Sequence, residues 1–175
     1  MPPLHPPRVV VTDANVLINL IHAGRLHLLG ALTAFKFVVP DHVIAEITRS
    51  AQRQALEIAL TRGALSKRSI TGPRELATYA ELRRIMGSGE AACLAMAEAR
   101  GWLIASDEKR RLRREVIAWL GEGRLVTTAG LFVIAIRAGV ISVKEADQIK
   151  EILQRHRFRM AFRSFRDLLD PPRLG

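Results

Sequence analysis

Residues 9–15 read Val-Val-Val-Thr-Asp-Ala-Asn. Three β-branched residues run unbroken toward Asp13, and a short continuous apolar run of this kind predicts a strand buried on both faces. The next residues, Val16-Leu17-Ile18-Asn19-Leu20-Ile21, contain no Gly or Pro and predict a helix. Asp13 is thereby placed at the carboxyl end of a central strand, the rim where open α/β sheets bind ligands. A charge directly behind a buried run needs a partner, because an unpaired buried carboxylate is costly. A second reading stands beside this one: Asp is a favoured N-cap, and Asp13 would then only start the helix.

The same pattern recurs downstream. Trp102-Leu103-Ile104-Ala105-Ser106 predicts a buried strand that ends in Asp107, with a helix expected over 108–120. Between the two, Phe37-Val38-Val39 predicts a strand closed by Pro40, and Asp41 is expected to cap a helix beginning at His42. Glu46 falls three positions after Val43, at the border of that helix's apolar face, so it can reach toward the sheet rim or stand as an ordinary exposed helical Glu. Helices are also expected over 51–62, 75–86 and 91–100, the last capped by Ser88 with Glu90 in its first turn. The helix dipole favours an acid there whatever its function. Ala91, Ala92, Cys93, Ala95, Ala97 and Ala99 keep this helix small, which permits close packing on a sheet. An edge strand is expected near 66–71, a short strand over 124–127, and a helix over 128–138. Strand and helix alternate throughout, which predicts a parallel sheet with helices on both faces.

The 175 residues suit one domain with a sizeable core. A single cysteine, Cys93, excludes an internal disulfide framework and a Cys-based zinc site. No apolar stretch reaches transmembrane length, so no membrane partner is expected. Met1 to Pro7 lack a signal-peptide core, and their prolines predict a disordered lead-in. The expected compartment is the cytoplasm.

The net charge of +10 is concentrated in two segments. Residues 108–114 carry five basic side chains and one acid, and residues 155–166 carry five arginines and no acid, together +9. Focused basic patches suit a polyanionic partner, nucleic acid first; the plainer reading is a solvated helix face. Ser142 and Glu145 form a capping box for a helix to about Arg155. Phe158, Phe162, Phe165 and Leu169 then recur at helical spacing beside Arg159, Arg163 and Arg166. Core docking or a subunit contact is the default for that stripe, with base stacking the alternative.

Four carboxylates, Asp13, Glu46, Glu90 and Asp107, are thus expected at one rim. Held together they repel and raise one another's pKa, and a divalent cation removes the conflict. Oxygen-only ligands select Mg²⁺ or Mn²⁺. Such a site suits phosphodiester hydrolysis, with arginines holding the flanking phosphates.

The stretches Val11-Thr12-Asp13-Ala14-Asn15, Val39-Pro40-Asp41-His42-Val43-Ile44-Ala45-Glu46, Gly89-Glu90-Ala91-Ala92 and Ala105-Ser106-Asp107-Glu108-Lys109-Arg110-Arg111 resemble the motif series of PIN-domain nucleases. The order and spacing match over residues 8–140, and the segment from Gly130 is similar to a PIN-like bacterial and archaeal group. The resemblance implies a three-layer α/β/α sandwich with a central parallel sheet, and a helical C-terminal extension over 141–175 that packs on the PIN domain or dimerises with it. It implies a Mg²⁺- or Mn²⁺-dependent endoribonuclease like the VapC-like toxins, which dimerise and are silenced by a small antitoxin. Asp13 would be a metal ligand, Glu46 and Glu90 would hold the metal or its water, and Asp107 would complete the site. Asn15 would assist at the rim, Arg111 matches the arginine after the last acid, and Arg110, Arg113 and Arg114 would meet RNA. Ser106 before Asp107, where an acid often stands in the family, puts a second metal in doubt. A non-catalytic RNA- or protein-binding module on the same fold is the competing expectation, and a DNA nuclease a third. A sugar-nucleotide or redox enzyme is not expected, since no Gly-rich phosphate loop follows the first strand.

Overall fold

A computed structural model describes residues 6–169. Most of the lead-in expected over 1–7, and the end of the extension expected to reach 175, lie outside the described residues.

Five strands form one parallel sheet: β1 (Arg8–Thr12), β2 (Phe35–Pro40), β3 (Ser66–Arg68), β4 (Leu103–Ala105) and β5 (Leu125–Val126), in the order β3-β2-β1-β4-β5. Val11 stands opposite Val38 on one side and Ile104 on the other. The strand order reverses at β1, so the carboxyl ends of β1 and β4 flank the topological switch point. Val10, Val11 and Thr12 are all buried although consecutive residues face opposite sides. Such a strand is stable only between two helical layers.

The helices are α1 (Ala14–His22), α2 (Leu28–Ala31), α3 (Asp41–Glu46), α4 (Ser50–Thr61), α5 (Pro73–Leu82), α6 (Ser88–Arg100), α7 (Arg111–Leu120), α8 (Thr128–Arg137), α9 (Val143–Arg155) and α10 (Arg166–Leu169). The most enclosed is α6, whose residues Ala91 to Ala97 are all buried. It packs against β1, β2 and β4 and against α3, α5 and α7. Its alanines let the backbone approach the sheet, and Leu94 and Met96 fill the remaining volume. Cys93 is a buried core filler, as expected, and burial pushes its thiol well up, with the charges of Asp13, Glu46 and Glu90 adding.

Several expected element ends move, each for a local reason. Asp41 does not cap α3: it lies inside the helix, and its carboxylate instead meets the Ser69 hydroxyl and the Lys67 ammonium, tying α3 to the edge strand. Helix α5 ends at Leu82, and Arg83 closes the turn by donating to the Met86 carbonyl at 2.6 Å. Leu76 on this helix is 52% exposed. Ser88 is not a cap either; its hydroxyl pairs with the Tyr79 hydroxyl at 3.0 Å. Helix α7 starts at Arg111 because the Glu108 carboxylate turns back to accept the amides of Arg110, Arg111 and Leu112. The capping box at Ser142 forms as expected.

The tail departs most. Helix α9 packs on α1 and α8, but the chain then turns and is irregular to Phe165. Phe165 is fully buried, edge-on to Phe132 at 5.9 Å and to Phe162 at 4.9 Å. The aromatic stripe therefore docks on the core without the continuous helix its spacing predicts.

One partly buried ion pair braces the sheet's flank. Glu75 on α5 accepts from the Arg100 guanidinium on α6 through both carboxylate oxygens, the longer bond being 3.0 Å. Burial alone would push the Glu75 carboxyl up, but Arg100 and the Thr71 amide reverse this and hold it below the usual range. Removing the cation strands a buried charge, so Arg100→Met should destabilise by about 3 kcal/mol, and the double variant with Glu75→Gln by clearly less. Urea midpoints of the four proteins measure both effects.

Candidate active site

Asp13 follows β1 directly and is 3% exposed. Its backbone amide donates to the Ala105 carbonyl at 2.9 Å, extending the β1–β4 ladder past the strand. The expected cap is present, and the carboxylate has partners beyond it. Oδ1 accepts the Ala14 amide at 2.8 Å and so caps α1, while Oδ2 accepts from the Ser106 hydroxyl at 2.9 Å and the Asn15 amide at 3.0 Å. Burial is the main force on its pKa and pushes it up. The Ser106 and Ala14 hydrogen bonds oppose burial, the charges of Glu90 and Glu46 reinforce it, and the result is about 6.

Glu46 ends α3, and its Oε1 accepts the Gly89 amide at 2.7 Å. A Cβ at position 89 would lie 2.7 Å and 2.8 Å from the two carboxylate oxygens, so the approach requires glycine. Glu90, one residue on, turns Oε2 back to the Gly87 amide at 3.3 Å at the start of α6. Both carboxylates keep their other oxygen without a hydrogen bond among the described residues. The charges of Glu90 and Glu46 thus both reach Asp13 beside the carboxyl end of β1.

Asp107 is held differently. Its backbone amide donates to Asn15 Oδ1 at 3.0 Å, which links it to Asp13 through a single side chain. Its carboxylate turns toward the start of α8, where Oδ1 accepts the Thr128 amide at 2.8 Å and Oδ2 accepts from the Thr128 hydroxyl and from Asn19 Nδ2. Asp107 is not among the charges that raise the Asp13 carboxyl. Among the described residues, no three His, Cys, Asp or Glu side chains already stand as a metal cluster.

The donor set is nonetheless all oxygen, and Glu46 and Glu90 each keep one oxygen without a hydrogen bond among the described residues, which fits a hard divalent ion. Asp13, Glu46 and Glu90 share one field, Asn15 is the hinge between Asp13 and Asp107, and Asp107 alone is directed away. The expected RNA contacts divide. Arg110, Arg111, Arg113 and Arg114 are all exposed. Arg111 donates to the Ile85 carbonyl at 2.9 Å and Arg114 pairs with Glu115 at 3.2 Å, whereas Arg110 and Arg113 form no salt bridge among the described residues.

Asn19 and Thr128 escape the sequence reading, and Ser106 and Gly89 enter it only as members of the quoted motifs, without the roles seen here. Asn19 left a trace, as a polar residue between Val16-Leu17 and Leu20 on a helix face otherwise made of core. Ser106 orients Asp13 through its hydroxyl.

None of the curated proteins matches this chain. A family model described as a PIN domain matches residues 9–171. That span takes in all five strands but for Arg8, and every residue of the site above. The chain belongs to the PIN-domain family, whose fold is generally that of a nuclease.

Proposed function

We propose that this protein is a Mg²⁺- or Mn²⁺-dependent endoribonuclease, acting in the cytoplasm as the toxin of a toxin–antitoxin module. The observation that carries the reading is Asp13: a carboxylate buried at the switch point, pushed up to about 6 and flanked by the charges of Glu90 and Glu46. An anionic centre of this kind is relieved by a cation. Asp13, Glu46 and Glu90, with Asp107 after rotation from Thr128, would hold the ion. When bound, the ion supplies a lowered pKa for water and charge neutralisation on the phosphate.

The chain's own residues do the rest. Ser106 and Asn15 fix the plane of the Asp13 carboxylate. The Gly89 and Gly87 amides hold Glu46 and Glu90 by one oxygen each and leave the other available. Arg110 and Arg113 offer exposed cations to the flanking phosphates. No described helix is long and apolar enough to cross a membrane. A homodimer silenced by a small antitoxin completes the proposal, with residues 8–140 as its catalytic body and 141–175 as an extension.

A second reading has its own support. The engagement of the Asp107 carboxylate by Thr128 and Asn19 favours a non-catalytic RNA- or protein-binding module. The test is cleavage of single-stranded RNA and DNA by the purified protein. Under the nuclease reading, Mn²⁺ or Mg²⁺ supports RNA cleavage and EDTA removes it. Tight, salt-sensitive binding without cleavage in any metal would establish the module instead.

A further inference from the structure

A groove of about 420 Å³ leaves the acidic site along one face of α1. Asn15 and Asp107 line its near end, and His22, His156, Arg157 and Phe158 its far end. The His22 and His156 rings stack with centroids 4.0 Å apart and planes 12° from parallel. Burial holds the His22 imidazole below its usual pKa, with His156 and the positive Arg49 adding, so the inner ring of the stack is neutral near pH 7. His156 is exposed and offers its outer edge and face to solvent.

Arg157 is the second feature. Among the described residues it alone, apart from glycines, has positive φ, at 65°. It sits just after the end of α9, where its amide donates to the Gln154 carbonyl and the Phe158 amide to that of Leu153. Glycine is the usual occupant of such a position, and an arginine there costs about 1 kcal/mol. Arg157 is exposed, and among the described residues its side chain makes no salt bridge or hydrogen bond, so only the two backbone hydrogen bonds that close α9 offset that cost. Backbone strain kept at a cleft points to a ligand for the side chain. The groove also contains Glu108, but its carboxylate is occupied by the amides of α7. Its far end is therefore cationic and aromatic, the pairing that suits a phosphate and a base.

We propose that this groove seats a nucleotide flanking the scissile phosphate of single-stranded RNA, with Arg157 on its phosphate and the His22–His156 stack against its base. The assignment rests on the nuclease reading above. An acidic peptide could satisfy the cation but would make no use of the stack, so RNA is favoured.

The experiment measures fluorescence anisotropy of a labelled single-stranded RNA octamer in EDTA. The chain carries Asp13→Asn as background and is compared with added Arg157→Gly, Arg157→Lys or His156→Ala. Arg157→Gly relieves the strained φ, so its Tm should hold or rise while RNA affinity falls about tenfold and the salt slope shrinks by about 0.7. Arg157→Lys should recover most of the slope, and His156→Ala should lose roughly five- to tenfold in affinity. A purely structural Arg157 predicts the reverse pairing, with stability altered and binding intact. Equal affinity and slope in Arg157→Gly, or displacement of RNA by an equal concentration of oligoglutamate, overturns the groove assignment. Cleavage by the unmodified chain in Mn²⁺ is scored separately. If it cleaves while the variants bind alike, only the groove assignment falls. If it neither cleaves nor binds, the nuclease reading falls with it.

Discussion

Asp13→Asn should abolish RNA cleavage and at the same time make the protein more stable at neutral pH. The two effects share one cause. Asp13 is buried, and its pKa is raised to about 6. A carboxyl raised in the folded state binds its proton more tightly there than in the unfolded chain. Stability from this residue is therefore greatest below about pH 4 and is lost as pH climbs through 6, a difference of about 3 kcal/mol. Above pH 6 the unmodified fold carries an ionised carboxylate in a site that resists charge. Asparagine removes the charge but turns an NH₂ group toward either the Ala14 amide or the donors of Ser106 and Asn15, which returns about 1 kcal/mol. The net expectation at pH 7.5 is a gain of about 1–2 kcal/mol, or roughly 3–6 °C in Tm. The pH profile of the variant should be flatter between 4 and 7. Mn²⁺ should raise the Tm of the unmodified chain and leave that of Asp13→Asn unchanged, a readout that does not depend on activity. Retained cleavage, or an Asp13→Asn profile that still falls between pH 4 and 6, would remove Asp13 from its proposed role.

The strands around this residue were legible because their signal is local. Val9-Val10-Val11 and Leu103-Ile104-Ala105 are short continuous apolar runs that end at a polar residue, and their shortness favours a buried strand over a helix. The family motifs added the sandwich. The signals that failed depended on distant partners. Asp41 has the right identity for an N-cap, yet Ser69 and Lys67, more than twenty-five positions away, hold its carboxylate. The Phe158-to-Leu169 stripe has helical spacing, but the bend at Arg157 and the burial of Phe165 against Phe132 decide its path. At the site itself, the acids were visible as types at strand ends. Their orientation was not, because it is set by Ser106, Asn15, Asn19 and Thr128, none of which carries charge. Asp107 shows the consequence: the sequence places it beside Asp13, and hydrogen bonds to α8 turn its carboxylate away.

Gly89→Ala should separate the position of Glu46 from the stability of the fold. A methyl group there would meet the Glu46 carboxylate at 2.7–2.9 Å, closer than nonbonded atoms allow. The obstacle is the far end of a flexible side chain on the last residue of α3, not backbone or core. Glu46 can swing aside, so the helix should keep its place, and alanine's higher helix propensity offsets part of the lost Gly89–Glu46 hydrogen bond. The expected stability change is within about 1 kcal/mol. The carboxylate, however, would be displaced by an ångström or more from the field it shares with Asp13 and Glu90. A misplacement of that size costs on the order of 100-fold in rate where a catalytic group must be aligned. Single-turnover cleavage alongside a denaturant melt reads both quantities. Gly89→Ala should resemble Glu46→Gln in cleavage and the unmodified protein in stability. If cleavage survives at full rate with Glu46 displaced, the third acidic position is held by Glu90 alone, and Glu46 serves only to anchor α3 to the first turn of α6.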